Sequence, residues 1–322
     1  MKAARLDPAP LLLTAAIAIA SLALIRSPST WATLTIAGLA MGLLIFIMAS
    51  GLTLVFGLMD VMNFAHGIFI AVGAYVAVST LKLAGPGMAA LAPAALAAML
   101  AGAAVAGITG VVFERVLVRP VYGQHLKQIL ITMGGMIIGE ELIKVVWGPT
   151  PIAFELPQAL RGVFTFGDAA VEKFRLLAAA IGIVVFVALV LVLNRTKLGL
   201  LIRAGVQDRE MVESLGYRIR RLFVGVFVAG SALAGLGGVL WGLYQQNVVA
   251  QMGAQVNVLI FIVVIIGGLG STLGCVVGAL LVGLLANYTG FLAPKVALFS
   301  NIGLMVAVLL WRPQGLYPVT NR

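Results

Sequence analysis

Ten apolar runs of 16 to 26 residues follow one another along this chain: 11–26, 32–56, 64–82, 88–113, 126–147, 174–193, 220–244, 255–270, 274–292 and 296–311. About 20 apolar residues in a helix cross the hydrocarbon of a bilayer, with a range of about 17–25. In lipid every backbone polar group must be bonded internally, which leaves helices and closed barrels. A barrel needs segments of about 10 residues with alternating polarity. These runs are longer and apolar on every face. The chain is therefore read as an all-α, polytopic integral membrane protein of about 8–10 transmembrane helices.

Composition excludes the alternatives. Of 322 residues, 62% are apolar and 10% charged, against about 25% charged in an ordinary soluble domain. The longest relatively polar stretch, 194–221, has 28 residues, fewer than the roughly 40 that an unaided domain needs. The first run follows Lys2 and Arg5 as a signal peptide would, but Arg26-Ser27-Pro28-Ser29-Thr30 is no small-x-small cleavage site. It is read as an uncleaved span. The eighth and tenth runs are short enough to be tilted, interrupted or only partly crossing.

The net charge of +10 is read as loop anchoring, not as a nucleic-acid surface. With the N-terminus inside and all ten runs spanning, the inner segments and their edges hold 14 of the 21 Lys and Arg. That bias predicts cytoplasmic N- and C-termini. The opposite orientation would put Arg195, Lys197, Arg203, Arg209, Arg218, Arg220 and Arg221 all outside. The outer loop 148–173, with Pro149, Pro151 and Pro157, is expected to be a short irregular lid.

Most catalytic chemistry is absent from the pattern. There is no GxxxxGK[ST] phosphate loop and no GxSxG. His66 and His125 are far apart and Cys275 is the one cysteine, so no metal and no cofactor is expected. No row of carboxylates runs down the spans, as a proton relay would require. Glu140, Glu141 and Lys144 sit near Trp147, either as an interfacial ion pair or as part of an outer gate.

Three stretches carry the functional signal. Gly57-Leu58-Met59-Asp60-Val61-Met62-Asn63-Phe64-Ala65-His66-Gly67 interrupts a long apolar region. Asp60 belongs at an interface, in a water-filled cavity or at a helix cap, and Asn63 can cap a helix starting at Phe64. The segment reads either as a capped turn or as a broken helix lining a path. Gly267-Gly268-Leu269-Gly270-Ser271-Thr272-Leu273-Gly274 is a second break, too rich in glycine for a straight helix. It is a loose counterpart of the first. In 194–221, Asp208 can cap a short helix, Arg209–Leu215, with Glu210 in its first turn and Gly216 terminating it. Met211, Val212 and Leu215 then share one face. That face either lies on the membrane or docks into a partner's groove. Four small-xxx-small pairs, Gly38/Gly42, Gly135/Gly139, Gly238/Gly242 and Gly274/Gly278, predict close helix packing.

At these stretches the sequence resembles the branched-chain amino-acid ABC transporter permeases, and most closely the first of their two permease types. The resemblance rests on Gly51-Leu52-Thr53-Leu54-Val55-Phe56-Gly57 with Met62–Gly67 and Gly73-Ala74-Tyr75, on Leu200–Gly216 running into Ala229–Gly238, on Gly267–Gly274, and on Trp311-Arg312-Pro313-Gln314-Gly315-Leu316. It covers about 35 to 318. It implies a single permease domain over 1–322, in a bacterial inner membrane, as a non-enzymatic subunit of an ATP-driven importer. The implied partners are a second permease, two cytoplasmic ATPases, a periplasmic binding protein and membrane lipid. Arg203, Asp208, Arg209, Glu210, Val212, Leu215 and Gly216 would form the ATPase contact. Asp60, Asn63, His66, Gly268, Gly270 and Ser271 would line the substrate path. Relatives often carry a Lys before the eighth span; Asn257-Val258-Leu259-Ile260 has none here. The family also serves amides, urea and aromatic acids. From another class, a stand-alone secondary transporter would need an intramembrane ion site.

Overall fold

The apolar runs all become helices in the computed structural model, which describes residues 8–89, 92–207 and 209–318. In chain order these are α1 (Ala9–Ile25), α2 (Pro28–Met59), α3 (His66–Ala89), α4 (Ala92–Phe113), α5 (His125–Trp147) and α6 (Lys173–Arg195). Then come α7 (Lys197–Gln207), α8 (Arg209–Ser214), α9 (Ile219–Gln245), α10 (Met252–Gly267), α11 (Thr272–Leu292) and α12 (Ala297–Trp311). Among the described residues six helices are long and apolar enough to cross a membrane: Pro28–Met59, His66–Gly85, Ala92–Val121, Lys173–Arg195, Ile219–Gln245 and Thr272–Leu292. Ala9–Ile25, Met252–Gly267 and Phe299–Trp311 are shorter apolar helices.

The 32-residue α2 is the axis of the bundle. It packs against α9 and α11 along its length, with α6 on a further side. Small residues set these distances, because lipid supplies no hydrophobic drive between helices and close van der Waals contact must replace it. A methyl on Gly42 would lie 2.7 Å from the Ala279 carbonyl oxygen of α11, and Gly38 faces Gly283 and Leu284. All four expected small-residue pairs meet a neighbour: Gly135 meets the Phe113 ring, Gly139 meets Ile68, Gly238 the Ile70 carbonyl, Gly242 Phe154, Gly274 Gly267, and Gly278 the Val263 carbonyl.

The outer loop corrects its expectation. It carries two strands, β2 (Val163–Phe166) and β3 (Ala169–Glu172), paired as an antiparallel hairpin. A third strand, β1 (Ile152–Ala153), pairs antiparallel with β4 (Asn247–Val248), matching Ile152 to Val248. Phe154 is buried beneath Gly242. The prolines start the loop irregularly, but alternation across Ala169–Glu172 buries one face and forms a strand. The polar stretch 194–221 also holds more helix than expected. α7 precedes α8 and buries Gly199, Ile202 and Gly205 at every third position.

Candidate functional site

The two breaks meet. α2 ends at Met59, and Asp60 takes the left-handed conformation (φ 55°, ψ 37°), its N–H donating to the Phe56 carbonyl at 3.0 Å. Gly57 packs against Gly270 backbone to backbone, so a Cβ on either would collide with the other. Ser271 caps α11, its Oγ accepting from the Gly274 N–H at 3.0 Å. Gly268 (φ 97°) abuts Gln314, Gly315 and Pro318. The Leu316 and Tyr317 N–H groups donate to the Ile266 and Gly267 carbonyls at 2.9 and 3.1 Å. The Gly-rich turn and the C-terminal motif are therefore one packed unit.

From Asp60 the chain turns back along the bundle as an irregular strand. The buried His66 donates from Nε2 to the Met48 carbonyl at 2.9 Å, since that oxygen can only accept. Met48 precedes the α2 terminus by eleven residues, about 16 Å of helix. α3 thus begins about half of a ~30 Å hydrocarbon thickness away from the turn. α10 begins at the same depth. Gly67 and Gly253 touch, a methyl on Gly67 lying 2.5 Å from the Gly253 carbonyl oxygen. With 16 residues, α10 is about 24 Å long and does not span a ~30 Å core.

A non-helical segment inside a bundle has backbone groups that no helix ladder satisfies. Side chains of other helices satisfy them here. The Met62 N–H donates to Gln128 Oε1 at 3.3 Å, and the Phe64 N–H to Thr132 Oγ1 at 3.2 Å, both on α5. Asn257 of α10 donates from Nδ2 to the Phe64 carbonyl at 2.8 Å. Asn63 Oδ1 accepts from the Ala65 N–H at 3.1 Å, so Asn63 closes a local turn and α3 starts at His66, two residues later than expected. Among the described residues the buried Asn63 Nδ2 and Asn257 Oδ1 have no hydrogen-bond partner. The Phe64 and Phe261 rings lie against each other, tilted by 31° with centroids 4.7 Å apart.

The predicted path residues therefore fall in two places. Gly268, Gly270 and Ser271 are at the turn, with the half-exposed Asp60, whose Oδ2 lies 3.7 Å from His125 Nε2. His66 is about 16 Å deeper along α2, and Asn63 lies on the segment between, at the level of Gln128 and Thr132. Gln128, Thr132 and Asn257 were missed. The signal for two of them was a polar side chain set among apolar neighbours, Thr132 within Ile129–Met133 and Asn257 within Val256–Ile262. Asn257→Leu should lower the unfolding midpoint in detergent, because an unbonded buried carbonyl costs about 1–3 kcal/mol. An unchanged midpoint would show that the Phe64 carbonyl does not depend on this bond.

The polar stretch between α6 and α9 corrects the expected stripe on α8. Val212 is turned inward at 4% exposure, whereas Met211 and Leu215, at 61% and 67%, point out. The exposed apolar surface is thus the Met211/Leu215 pair, four residues apart. Gly216 (φ 86°) ends the helix as expected, with its N–H on Glu213 and the Tyr217 N–H on the Val212 carbonyl at 3.0 and 3.3 Å. Arg203 donates to Asn194 Oδ1 at 3.1 Å. Asp208 lies outside the described residues, as do the side chains of Arg209 and Glu210. At the far end of α5, Lys144 Nζ lies 2.7 Å from Glu141 and 3.3 Å from Glu140, next to Trp147. Among the described residues no group of three or more His, Cys, Asp or Glu could hold a metal.

The sequence matches known proteins over most of its length. The family described as branched-chain amino acid transport system / permease component matches residues 34–309. The high-affinity branched-chain amino acid transport system permease protein BraD of Pseudomonas aeruginosa is 30% identical over 289 residues, 87% of this chain and 93% of that protein. The corresponding LivH of Escherichia coli K12 is 28% identical over 291 residues, 87% of this chain and 92% of that protein. LivM of the same organism is 27% identical over 310 residues, 90% of this chain and 70% of that protein. No solved structure matches. With nearly the whole membrane domain matched, this chain belongs to the branched-chain amino acid transport permease family.

Proposed function

We propose that this chain is the membrane-spanning permease subunit of an ATP-driven importer, with branched-chain or similarly hydrophobic amino acids as cargo. The observation that carries the reading is the pair of helices, α3 and α10, that start inside the bundle beside an irregular strand fixed by side chains. Broken helices of this kind can rock against their neighbours and leave polar groups facing a path. Asn63 Nδ2 can donate to a carboxylate and Asn257 Oδ1 can accept from an ammonium. A zwitterion passing there would be solvated without being gripped by a fixed charge.

The chain has no phosphate loop, so the energy comes from partners. Two ATPases docking on the 203–216 region, through Met211 and Leu215, would move α7 and α8 and with them α6 and α9. Arg203, Asp208, Arg209, Glu210, Val212 and Gly216 would shape or support that contact. LivH and LivM of one organism are both similar to this chain, which supports a second, related permease beside it. A periplasmic binding protein would deliver the substrate. The excess of Lys and Arg in the loops supports a cytoplasmic location for both termini.

The test is uptake of radiolabelled leucine into cells deleted for the gene, complemented with wild type or variants. Wild type should restore binding-protein- and ATP-dependent uptake. Asp60→Asn should retain most of it, since Asp60 is half exposed and its ion-pair neighbour is an exposed histidine, an arrangement worth about 0–1 kcal/mol. Uptake that instead follows a proton or sodium gradient, and vanishes in Asp60→Asn, would overturn the importer reading in favour of a secondary transporter.

A further inference from the structure

α4 and α9 run antiparallel in close contact. A methyl on Gly110 would strike the Ser231 side chain, and Gly107 faces Ala232 and Val228 at 3.5 Å. Beyond that contact the helices part. α4 passes into a π turn, Glu114–Val118, closed by the Arg119 N–H on the Glu114 carbonyl, and a 3-10 turn, Arg119–Val121. Such turns recur at functional sites because they re-aim side chains. Here they border a cleft of about 320 Å³ lined by Arg115, Arg119, Arg220, Arg221 and Val224.

Four guanidinium groups share this cleft, and among the described residues no acidic one lines it. Among the described residues none of the four is in an ion pair. Glu114, beside Arg115, is buried and turned inward, Oε1 accepting from the Tyr122 hydroxyl at 2.6 Å, and Glu213 lines the neighbouring pocket on the other side of Arg220 and Arg221. Like charges held together repel, and arginine forks match phosphate oxygens two at a time. The cleft therefore fits an anion of the phosphate type.

Its surroundings select the source. Ile108, Val112 and Val116 are exposed and follow one another every fourth residue along α4. They form an apolar stripe running from the arginines up the membrane-crossing part of the helix. A free anion, or an acidic segment of a docked protein, uses the arginines and leaves the stripe uncovered. A phospholipid uses both, and basic pockets between transmembrane helices are the usual form of such sites. We propose that this cleft binds the phosphate of an anionic phospholipid whose acyl chains lie along Ile108, Val112 and Val116.

The test is native mass spectrometry of the permease, purified in mild detergent with whatever partners accompany it. Phosphatidylglycerol and phosphatidylethanolamine of identical acyl chains are supplied in equal amounts. Wild type should retain phosphatidylglycerol preferentially. Arg115→Gln/Arg119→Gln should reduce its retention about 30-fold, from ~1 kcal/mol per basic residue, and Arg115→Lys/Arg119→Lys should restore part of it. Equal retention of the two lipids by wild type would overturn the proposal. So would an undiminished preference in the glutamine variant, or displacement of the lipid by millimolar inorganic phosphate that itself stays bound. Loss of an ATPase subunit from the variant, with phosphatidylglycerol still held, would reassign the cleft to a protein contact. Where the double variant aggregates, Arg115→Gln and Arg119→Gln are measured singly, each expected to lose about fivefold.

Discussion

Leu215→Asp will leave the membrane bundle folded and abolish ATP-driven uptake. Leu215 is 67% exposed and follows the last residue of α8, so replacing it removes little packing. A carboxylate at a helix C-terminus costs about 0.3–1 kcal/mol, small beside the stability of the whole bundle. The cost falls on docking. A partner groove that receives Met211 and Leu215 would have to bury a carboxylate, a penalty of several kcal/mol. At 1.4 kcal/mol per tenfold, even 4 kcal/mol weakens the contact roughly a thousandfold. The measurement is co-purification of the ATPases together with leucine uptake. Leu215→Ala should keep an intermediate level of both. Wild-type uptake by Leu215→Asp would remove α8 from the coupling contact.

The second large effect is on assembly. Gly67→Ala should prevent accumulation of folded permease, or leave it prone to aggregation in mild detergent. The added methyl would sit 2.5 Å from the Gly253 carbonyl oxygen and 2.6 Å from its carbon. Both are backbone atoms, so no rotamer change relieves the clash, and α3 and α10 must separate where their ends are pinned by Asn257. Losses above about 4 kcal/mol have few causes, and overpacking against backbone is one of them. The matched control is Gly134→Ala on α5, where a methyl would meet nothing within 4 Å. It should be neutral or slightly stabilising, since alanine is the better helix former by about 1 kcal/mol. Fluorescence-detected size exclusion of the two tagged variants compares them directly. Equal monodisperse yields would show that the α3–α10 contact is not needed for the fold.

The sequence reports the spans well because lipid makes a one-dimensional demand, a run of apolar residues long enough to cross. It reports the breaks for the same reason, since Gly57–Gly67 and Gly267–Gly274 violate that demand. It does not report that Gly57 touches Gly270, because nothing local encodes which glycines face each other. The strand after Asp60 is equally silent. Asn63 looks like an N-cap for Phe64, yet the chain climbs two residues further, held by Gln128, Thr132 and Asn257 from distant helices. α7 is recognisable only from packing, since Gly199 and Gly205 serve for close approach to the Leu193 backbone and Ile219, which nothing local encodes. On α8 a six-residue helix allows several faces, and only packing shows that Val212 goes in while Met211 and Leu215 stay out. Asn257 stands out in the sequence only as a position without a positive charge, and the neutral amide there holds the Phe64 carbonyl.

That last bond joins residues 193 positions apart in the chain. At about 5–20 residues per second of synthesis, the Phe64 carbonyl is made roughly 10–40 s before the side chain that satisfies it. During that interval the α2–α3 connection sits in or near lipid with an open acceptor. The nascent permease is thus incomplete until its eighth apolar run arrives, whatever the order in which the earlier helices enter the bilayer. A ribosome stalled before α10 would release a chain in which the Phe64 carbonyl lacks the Asn257 amide that bonds it in the finished fold.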